Sequence, residues 1–191
     1  LYPHRNTVRP IQVRHEQAAG YMALGASLAT GQPQAYCVVP GPGFLNTTAA
    51  LSTAYAVNAP VLALIGQIPT GAIDREYGLL HEIPNQEGIL GSLTKHATRI
   101  LEPGKAQNQL HEALTALVNG RPRPVGIECP MNIWGSEVGS DSAIPPLKIT
   151  PCAPDPSAIE SAATLLEHSK HPLIIVGGGA QHASAEVTEL A

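Results

Sequence analysis

PGPGFLNTTAALSTAYAVNAPVLALIGQIP, residues 40–69, decides the fold. It opens on a proline-glycine loop, continues as a helix-like run over residues 44–57, and ends on an apolar run, residues 61–65, closed by Gly66 and Gln67. Residues 35–39, just before the loop, form another short apolar run. Strand, tight loop, helix and strand make a βαβ unit, and such units build parallel sheets. The strand runs are continuously apolar rather than alternating, which predicts helices on both faces of the sheet and right-handed crossovers.

The alternation extends in both directions. Residues 8–13 read as a first strand and residues 15–30 as a helix closed by Gly31. After residue 67, a long irregular stretch over 68–91 leads to a fourth strand over 95–100. Pro103 is placed to begin a helix that runs to about Asn119, and residues 125–129 give a fifth strand. Residues 135–156 hold five prolines and little periodicity, so they read as a linker. Beyond it come a helix over 157–168, a buried strand over 173–176, the glycine run Gly177-Gly178-Gly179 and one more helix. The expected architecture is a three-layer, flavodoxin-like α/β domain over residues 1–134. Residues 157–191 are expected to begin a second, Rossmann-like α/β domain, truncated in this chain.

Composition narrows the function classes. Apolar residues make up 43% of the 191 but aromatics only 4%, so alanine, valine, leucine and isoleucine do the packing. With 11 Lys+Arg, a net charge of −4 and no basic cluster longer than RPRP at residues 121–124, no nucleic-acid partner is expected. Cys37, Cys129 and Cys152 are odd in number and lack CxxC spacing, which fits thiols in a reducing compartment. No apolar run approaches the ~20 residues of a membrane span, and LYPHRNTVRP has no signal-peptide core. A soluble, cytoplasmic protein with no membrane partner is the expectation.

In a parallel sheet the carboxyl ends of the strands share one edge, where ligands bind. Three consecutive strands end there in unusual sequences: Arg14-His15-Glu16, Pro40-Gly41-Pro42-Gly43, and Gly66-Gln67-Ile68-Pro69. Glu16 reads either as a carboxylate stabilising a helix start, worth ~0.3–1 kcal/mol, or as a functional acid. His15 reads as a hydrogen-bonded loop residue or a base. The PGPG loop allows close backbone approach before a helix, yet it lacks both the dinucleotide and the P-loop fingerprints, leaving a merely tight turn as the alternative. Gly20 and Gly25 each cost about 1 kcal/mol inside a helix, which predicts close approach of another helix, from this chain or a second subunit. The eight histidines form no metal-like set, and GGGA at residues 177–180 is either a common strand exit or a nucleotide loop.

RHEQAAGYMALGASLATG (14–31), the stretch 40–69, LTKHATRI (93–100) and GRPRPVGIECPMNIW (120–134) together resemble, in order and spacing, the acetolactate synthase-like superfamily of thiamine-diphosphate enzymes. That family includes acetolactate synthase, benzoylformate decarboxylase, pyruvate oxidase and 2-hydroxyacyl-CoA lyase. The resemblance spans residues 1–134 and implies a pyrimidine-binding domain, with PLIIVGGGA looking like the start of the family's central domain. It implies that Glu16 is the catalytic carboxylate, hydrogen-bonded to N1′ of the cofactor's aminopyrimidine so that the C2 proton can be lost. Pro42, Gly43 and Asn46 match the loop beside the pyrimidine ring. Gln67 and Pro69 match the active-site entrance, and His81 and Glu82 fall near its Gln-Glu pair.

The implied activity is decarboxylation or carboligation of a 2-oxo acid by a homodimer or homotetramer, a lyase or transferase. The implied cofactors are thiamine diphosphate and magnesium. The magnesium site belongs to a Gly-Asp-Gly motif that this sequence lacks, so the chain alone is expected to be inactive. FAD occurs in the central domain of the family, but no residue here supports it. The first βα unit of the family's domain, with its FG-x-PG loop, has no counterpart in the sequence, and Pro40 replaces the small polar residue usually found before Gly-Pro-Gly. The competing reading is a non-catalytic nucleotide-binding or oligomerisation α/β module that keeps the fold.

Overall fold

Helix α1, Glu16–Thr30, starts where its first turn finds a cap and stops where glycine allows reversal. His15 Nδ1 accepts from the backbone N–H of Gln17 at 3.2 Å. Gly31, at φ 66°, returns its N–H to the carbonyl of Ser27. The buried positions Gly20, Ala23, Leu24 and Ser27 follow the i, i+3, i+4, i+7 spacing of one helical face. This computed structural model describes residues 4, 6–137, 145–150 and 152–191. The chain divides into two units, Leu1–Pro151 and Cys152–Ala191.

The first unit is built on four parallel strands, β1 Gln34–Val38, β2 Val61–Gln67, β3 His96–Arg99 and β4 Val125–Pro130, in the order β1-β2-β4-β3. Side chains alternate across the sheet. Val61, Ala63 and Ile65 join Tyr36 and Val38 under α1, α3 (Thr48–Ala56) and α4 (Gln86–Leu93). Leu62, Val125, Ile127 and Cys129 face α5 (Ala106–Val118) through Ala113 and Leu117. Helices therefore flank both faces, although Ala35 and Cys37 of β1 remain exposed. Leu90 of α4 is fully buried against Gly126, where an added Cβ would stand 2.5 Å from its side chain.

Several expected elements differ. Residues 8–13 carry no ladder and are largely exposed, Ile11 at 63%. Pro10 removes one donor, and no neighbouring strand is present among the described residues to pair with the rest. The helix expected over 44–57 is two pieces, α2 Pro42–Leu45 and α3. Buried Thr47 causes the break: its hydroxyl donates to the carbonyl of Phe44 at 2.7 Å and accepts from Tyr36 at 2.9 Å, competing with the helical ladder. Within the stretch expected to be irregular lies α4, capped by Asn85, whose side chain accepts from the Gly88 N–H. Pro103–Lys105 is a single 3-10 turn before α5.

Of the linker, residues 138–144 and 151 lie outside the described residues; 145–150 form neither helix nor strand. The short helix α6, Met131–Trp134, follows β4; in the second unit α7 spans Pro156–Glu167 and α8 Ser184–Leu190. The expected buried strand over 173–176 is absent: Leu173 and Ile175 are exposed at 83% and 87% and have no ladder partner. A four-residue apolar run becomes a strand only beside another strand, since its backbone groups need partners.

Lys95, from the TKH stretch, has a structural task. Its ammonium donates to the carbonyls of Ala116 at 2.7 Å, Asn119, and Arg121 at 2.9 Å, closing the C-terminal end of α5. Arg123 lies over the ring of Tyr55 at 3.9 Å, so the RPRP cluster is partly occupied in packing.

The two helical glycines have opposite environments. A Cβ at Gly20 would stand 2.8 Å from that of Ala50 on α3, whereas Gly25 has nothing within 4 Å. Gly20 therefore serves packing within the chain. Gly25→Ala should stabilise by about 0.5–1 kcal/mol through helix propensity. Gly20→Ala gains the same propensity but overpacks at a cost of ~1–3 kcal/mol, so its urea midpoint should be unchanged or lower. A midpoint that rises equally in both variants would contradict the close α1–α3 approach.

Candidate active site

Parallel register carries the exits of β1, β2 and β4 to one edge of the sheet, and the start of α1 meets the loop after β1 there. After Val38 the chain turns through Gly41, at φ 59°, into the single turn α2. Pro42 occupies its first position, where the missing N–H costs nothing. A side chain at Gly41 would collide with the backbone of His81, and one at Gly43 with Val39. The same Cβ at Gly43 would stand 3.6 Å from Cγ and Oε1 of Glu16. At the end of α2, Asn46 donates from Nδ2 to Oε2 of Glu16 at 3.0 Å. The structure thus brings together Glu16, Pro42, Gly43 and Asn46, from α1 and α2.

Glu16 is half-exposed and held as an anion. The Asn46 hydrogen bond holds its carboxyl below the ordinary range, joined by its own backbone N–H and by the charges of His15 and His81; partial desolvation opposes them. His15 serves as the helix cap.

The remaining predicted residues lie elsewhere along this edge. Gln67 is 5% exposed, and its amide turns inward, donating to Glu128 at 3.0 Å and accepting from the Ile68 N–H at 2.7 Å. It does border a cavity of about 400 Å³ also lined by Asp74, Glu82, Asn85, Gln86 and Arg99. Pro69 lies two residues past β2, and its carbonyl receives the Ala72 N–H at 2.8 Å. His81, at φ 71°, sits against the PGPG loop through its backbone. Glu82 closes a turn by accepting from the Leu79 N–H at 2.8 Å. The glycine run near residue 178 forms a short 3-10 turn with open space around its glycines.

Sequence reasoning missed a buried polar cluster behind this edge. Glu128 of β4 is fully buried, and Arg99, its register partner on β3, pairs with its Oε2. Oε1 accepts from Gln67 and, at 2.5 Å, from Gln86. Burial pushes the Glu128 carboxyl up, while Arg99 and Gln86 pull it down. Arg99 also reaches Glu87 at 3.4 Å. The signal lay in VGIECP: a charged residue inside an apolar strand requires partners.

Replacing Asn46 by alanine should raise the Glu16 carboxyl midpoint toward the ordinary glutamate value, read by carbon-detected NMR titration. The depressed folded-state value means that Glu16 contributes stability above its unfolded midpoint and loses it as pH falls through the folded one. The variant should therefore shed that contribution at a higher pH than the parent. An unmoved midpoint would show that the Asn46 contact does not set the acidity.

Residues 2–89 match the family described as thiamine pyrophosphate enzyme, N-terminal TPP binding domain. A probable 2-ketoarginine decarboxylase of Pseudomonas aeruginosa is 30% identical over 96% of this chain and 33% of its own length. A probable acetolactate synthase large subunit of Methanocaldococcus jannaschii is 33% identical over 95% of the chain and 32% of its own. Oxalyl-CoA decarboxylase of Escherichia coli is 31% identical over 94% and 32%. The chain spans about a third of the length of these curated relatives. Among solved structures, the thiamine diphosphate-dependent 4-hydroxybenzoylformate decarboxylase of Rhodococcus jostii shares the fold, with a TM-score of 0.75 at 20% identity over 84% of this chain and 30% of that one. Residues 2–89 thus match the N-terminal TPP binding domain of the thiamine pyrophosphate enzymes, and the chain is similar over about a third of their length to proteins named as acetolactate synthases and decarboxylases.

Proposed function

We propose that this chain supplies the pyrimidine-side half of the active site of a thiamine-pyrophosphate-dependent enzyme that decarboxylates or ligates a 2-oxo acid, with Glu16 as its catalytic carboxylate. The observation that carries this reading is the Glu16–Asn46 pair at the sheet edge, beside a Gly43 that keeps side-chain atoms away from the carboxylate. An anionic carboxylate with a clear approach fits a ring nitrogen that must carry a proton. A glutamine there could hydrogen-bond but would not supply the charge. The bound cofactor would supply the electron sink for decarboxylation. Glu16 would hold the proton at the ring nitrogen, Asn46 orients Glu16 through its amide, and Pro42 and Gly43 would border the ring. The family match and the relatives named as decarboxylases and acetolactate synthases support this reading. No Gly-Asp-Gly motif occurs in the 191 residues, and no residue of this chain is assigned to magnesium or the diphosphate.

In the cofactor-loaded enzyme that contains this chain, Glu16→Gln should leave folding nearly unchanged, since a helix-end charge is worth under ~1 kcal/mol. Turnover should fall about 10²–10⁴-fold, the usual contribution of placed proton transfer. The deciding measurement is exchange of the cofactor's C2 proton for deuterium. A Gln variant exchanging as fast as the parent would reduce Glu16 to a helix-end charge.

The working form is a homodimer or homotetramer, with the outer face of α1 as a contact surface. Tyr21, Met22 and Leu28 are exposed there at 41%, 45% and 58%, beside the open Gly25. Adjacent exposed apolar side chains favour association. No helix among the described residues is long and apolar enough to cross a membrane, so the apolar face is assigned to a protein partner. Sedimentation should show concentration-dependent self-association that Met22→Glu weakens; a clean monomer at high concentration would refute it.

A further inference from the structure

We propose that Gln86 is a positioning residue for Glu16: its buried amide fixes the Gly41 N–H and thereby the loop that carries Asn46 onto the carboxylate. The proposal rests on Glu16 being the functional carboxylate, but its structural link can be tested without cofactor.

Gln86 is the first residue of α4 and is 1% exposed. Its surroundings permit one amide orientation. Nε2 faces two acceptors, Glu128 Oε1 at 2.5 Å and the Gly66 carbonyl at 3.0 Å. Oε1 faces a donor, the Gly41 N–H, at 2.6 Å. Turning the amide over would set N–H against N–H and oxygen against two oxygens, so the side chain is fixed. The frame behind it is equally determined, because Glu128 is gripped by Arg99 from β3 and Gln67 from β2. Gln86 therefore references the β1 exit loop to the three strands β2, β4 and β3.

From Gly41 to Asn46 the chain has little freedom. The Gly41 carbonyl accepts from Leu45 at 2.9 Å, and the Pro42 carbonyl accepts from Asn46 at 3.0 Å, so α2 moves as one turn. Gly41 sits at a positive φ with the His81 backbone pressed against it. Its N–H lies in a buried hydrogen bond accepted by Gln86 Oε1. Releasing that N–H frees the pivot of α2 and shifts the Asn46 amide relative to Glu16. A glutamine that merely satisfied buried Glu128 would need no acceptor placed on a loop glycine.

The test uses the 191-residue chain with Gln86→Met, which removes both functions, and Gln86→Asn, which keeps the amide but is one methylene too short to reach both sides. Lys95→Met, a loss of interaction at the far end of α5, serves as the control for general destabilisation. Gly41 amide exchange should accelerate roughly fivefold to tenfold in the Gln86 variants beyond the change in the control, the ratio expected for one ordinary hydrogen bond. The Glu16 carboxyl midpoint should rise toward the ordinary value in those variants and stay put in the control. Should the Met variant fail to fold, the Asn variant decides. Unchanged Gly41 exchange, an unchanged Glu16 midpoint, or an equal response in Lys95→Met would overturn the proposal. These readouts do not involve cofactor chemistry, so they stand apart from the deuterium-exchange test of Glu16.

Discussion

A carboxylate buried to 0% exposure in a central strand must be matched by donors on every side, and Glu128 sets that condition for the whole site edge. Removing one partner from such a buried pair typically costs about 3–5 kcal/mol, because the other charge is stranded. Arg99 has to sit directly across the β3–β4 ladder, which fixes the register of the edge strand. Gln67 has to lie two residues beyond Ile65, the β2 partner of Glu128, which places the strand exit at Ile68. Gln86 has to enter from α4, which ties that short helix to the sheet. The polar cluster thus specifies geometry at an edge where apolar packing alone would tolerate sliding.

The apolar layers supply the stability that this cluster consumes. On one face, α1, α3 and α4 cover Tyr36, Val38, Val61, Ala63 and Ile65. On the other, α5 covers Leu62, Val125 and Ile127. Small residues govern how close the layers come, with Gly20 against Ala50 and Gly126 against Leu90. This division suits a site built from backbone and two or three polar side chains. The packing holds the elements rigidly, and at the sheet edge Gly41 and Gly43 let the loop lie close against His81 and Val39.

Much of this was legible before any coordinates. The βαβ pattern of residues 35–65 and the α1 boundaries to within a residue followed from local rules; Glu16 does meet the PGPG loop, but from the start of α1 and not from the exit of a strand over residues 8–13. Those features depend on residues near one another in sequence or on a strand order that any parallel sheet shares. What was not legible depends on partners. Residues 8–13 and 173–176 carry strand-like side chains, but a strand is defined by its neighbour. The α4 helix was hidden because Gly88, Gly91 and Ser92 are poor helix formers, and its stability comes from Leu90 in the core and the Asn85 cap. Gln67 was placed correctly at a strand exit, yet its amide points into the protein because Glu128, 61 residues later, needs a donor.

The strand order has a consequence for biosynthesis. Because β4 lies between β2 and β3, a nascent chain that has not yet reached Val125 has no central strand, and the one open edge of β2 faces nothing. β3 has no partner at all until then, since its pairing is with β4. At ~5–20 residues per second, several seconds separate the emergence of β2 from the arrival of the strand that completes its pairing. During that interval an apolar edge and an unmatched Arg99 are presented to the ribosome exit and its chaperones. Pairing of the sheet therefore closes in a single event, in which β4 brings its apolar side chains to β2 and the Glu128 carboxylate to Arg99 at the same moment.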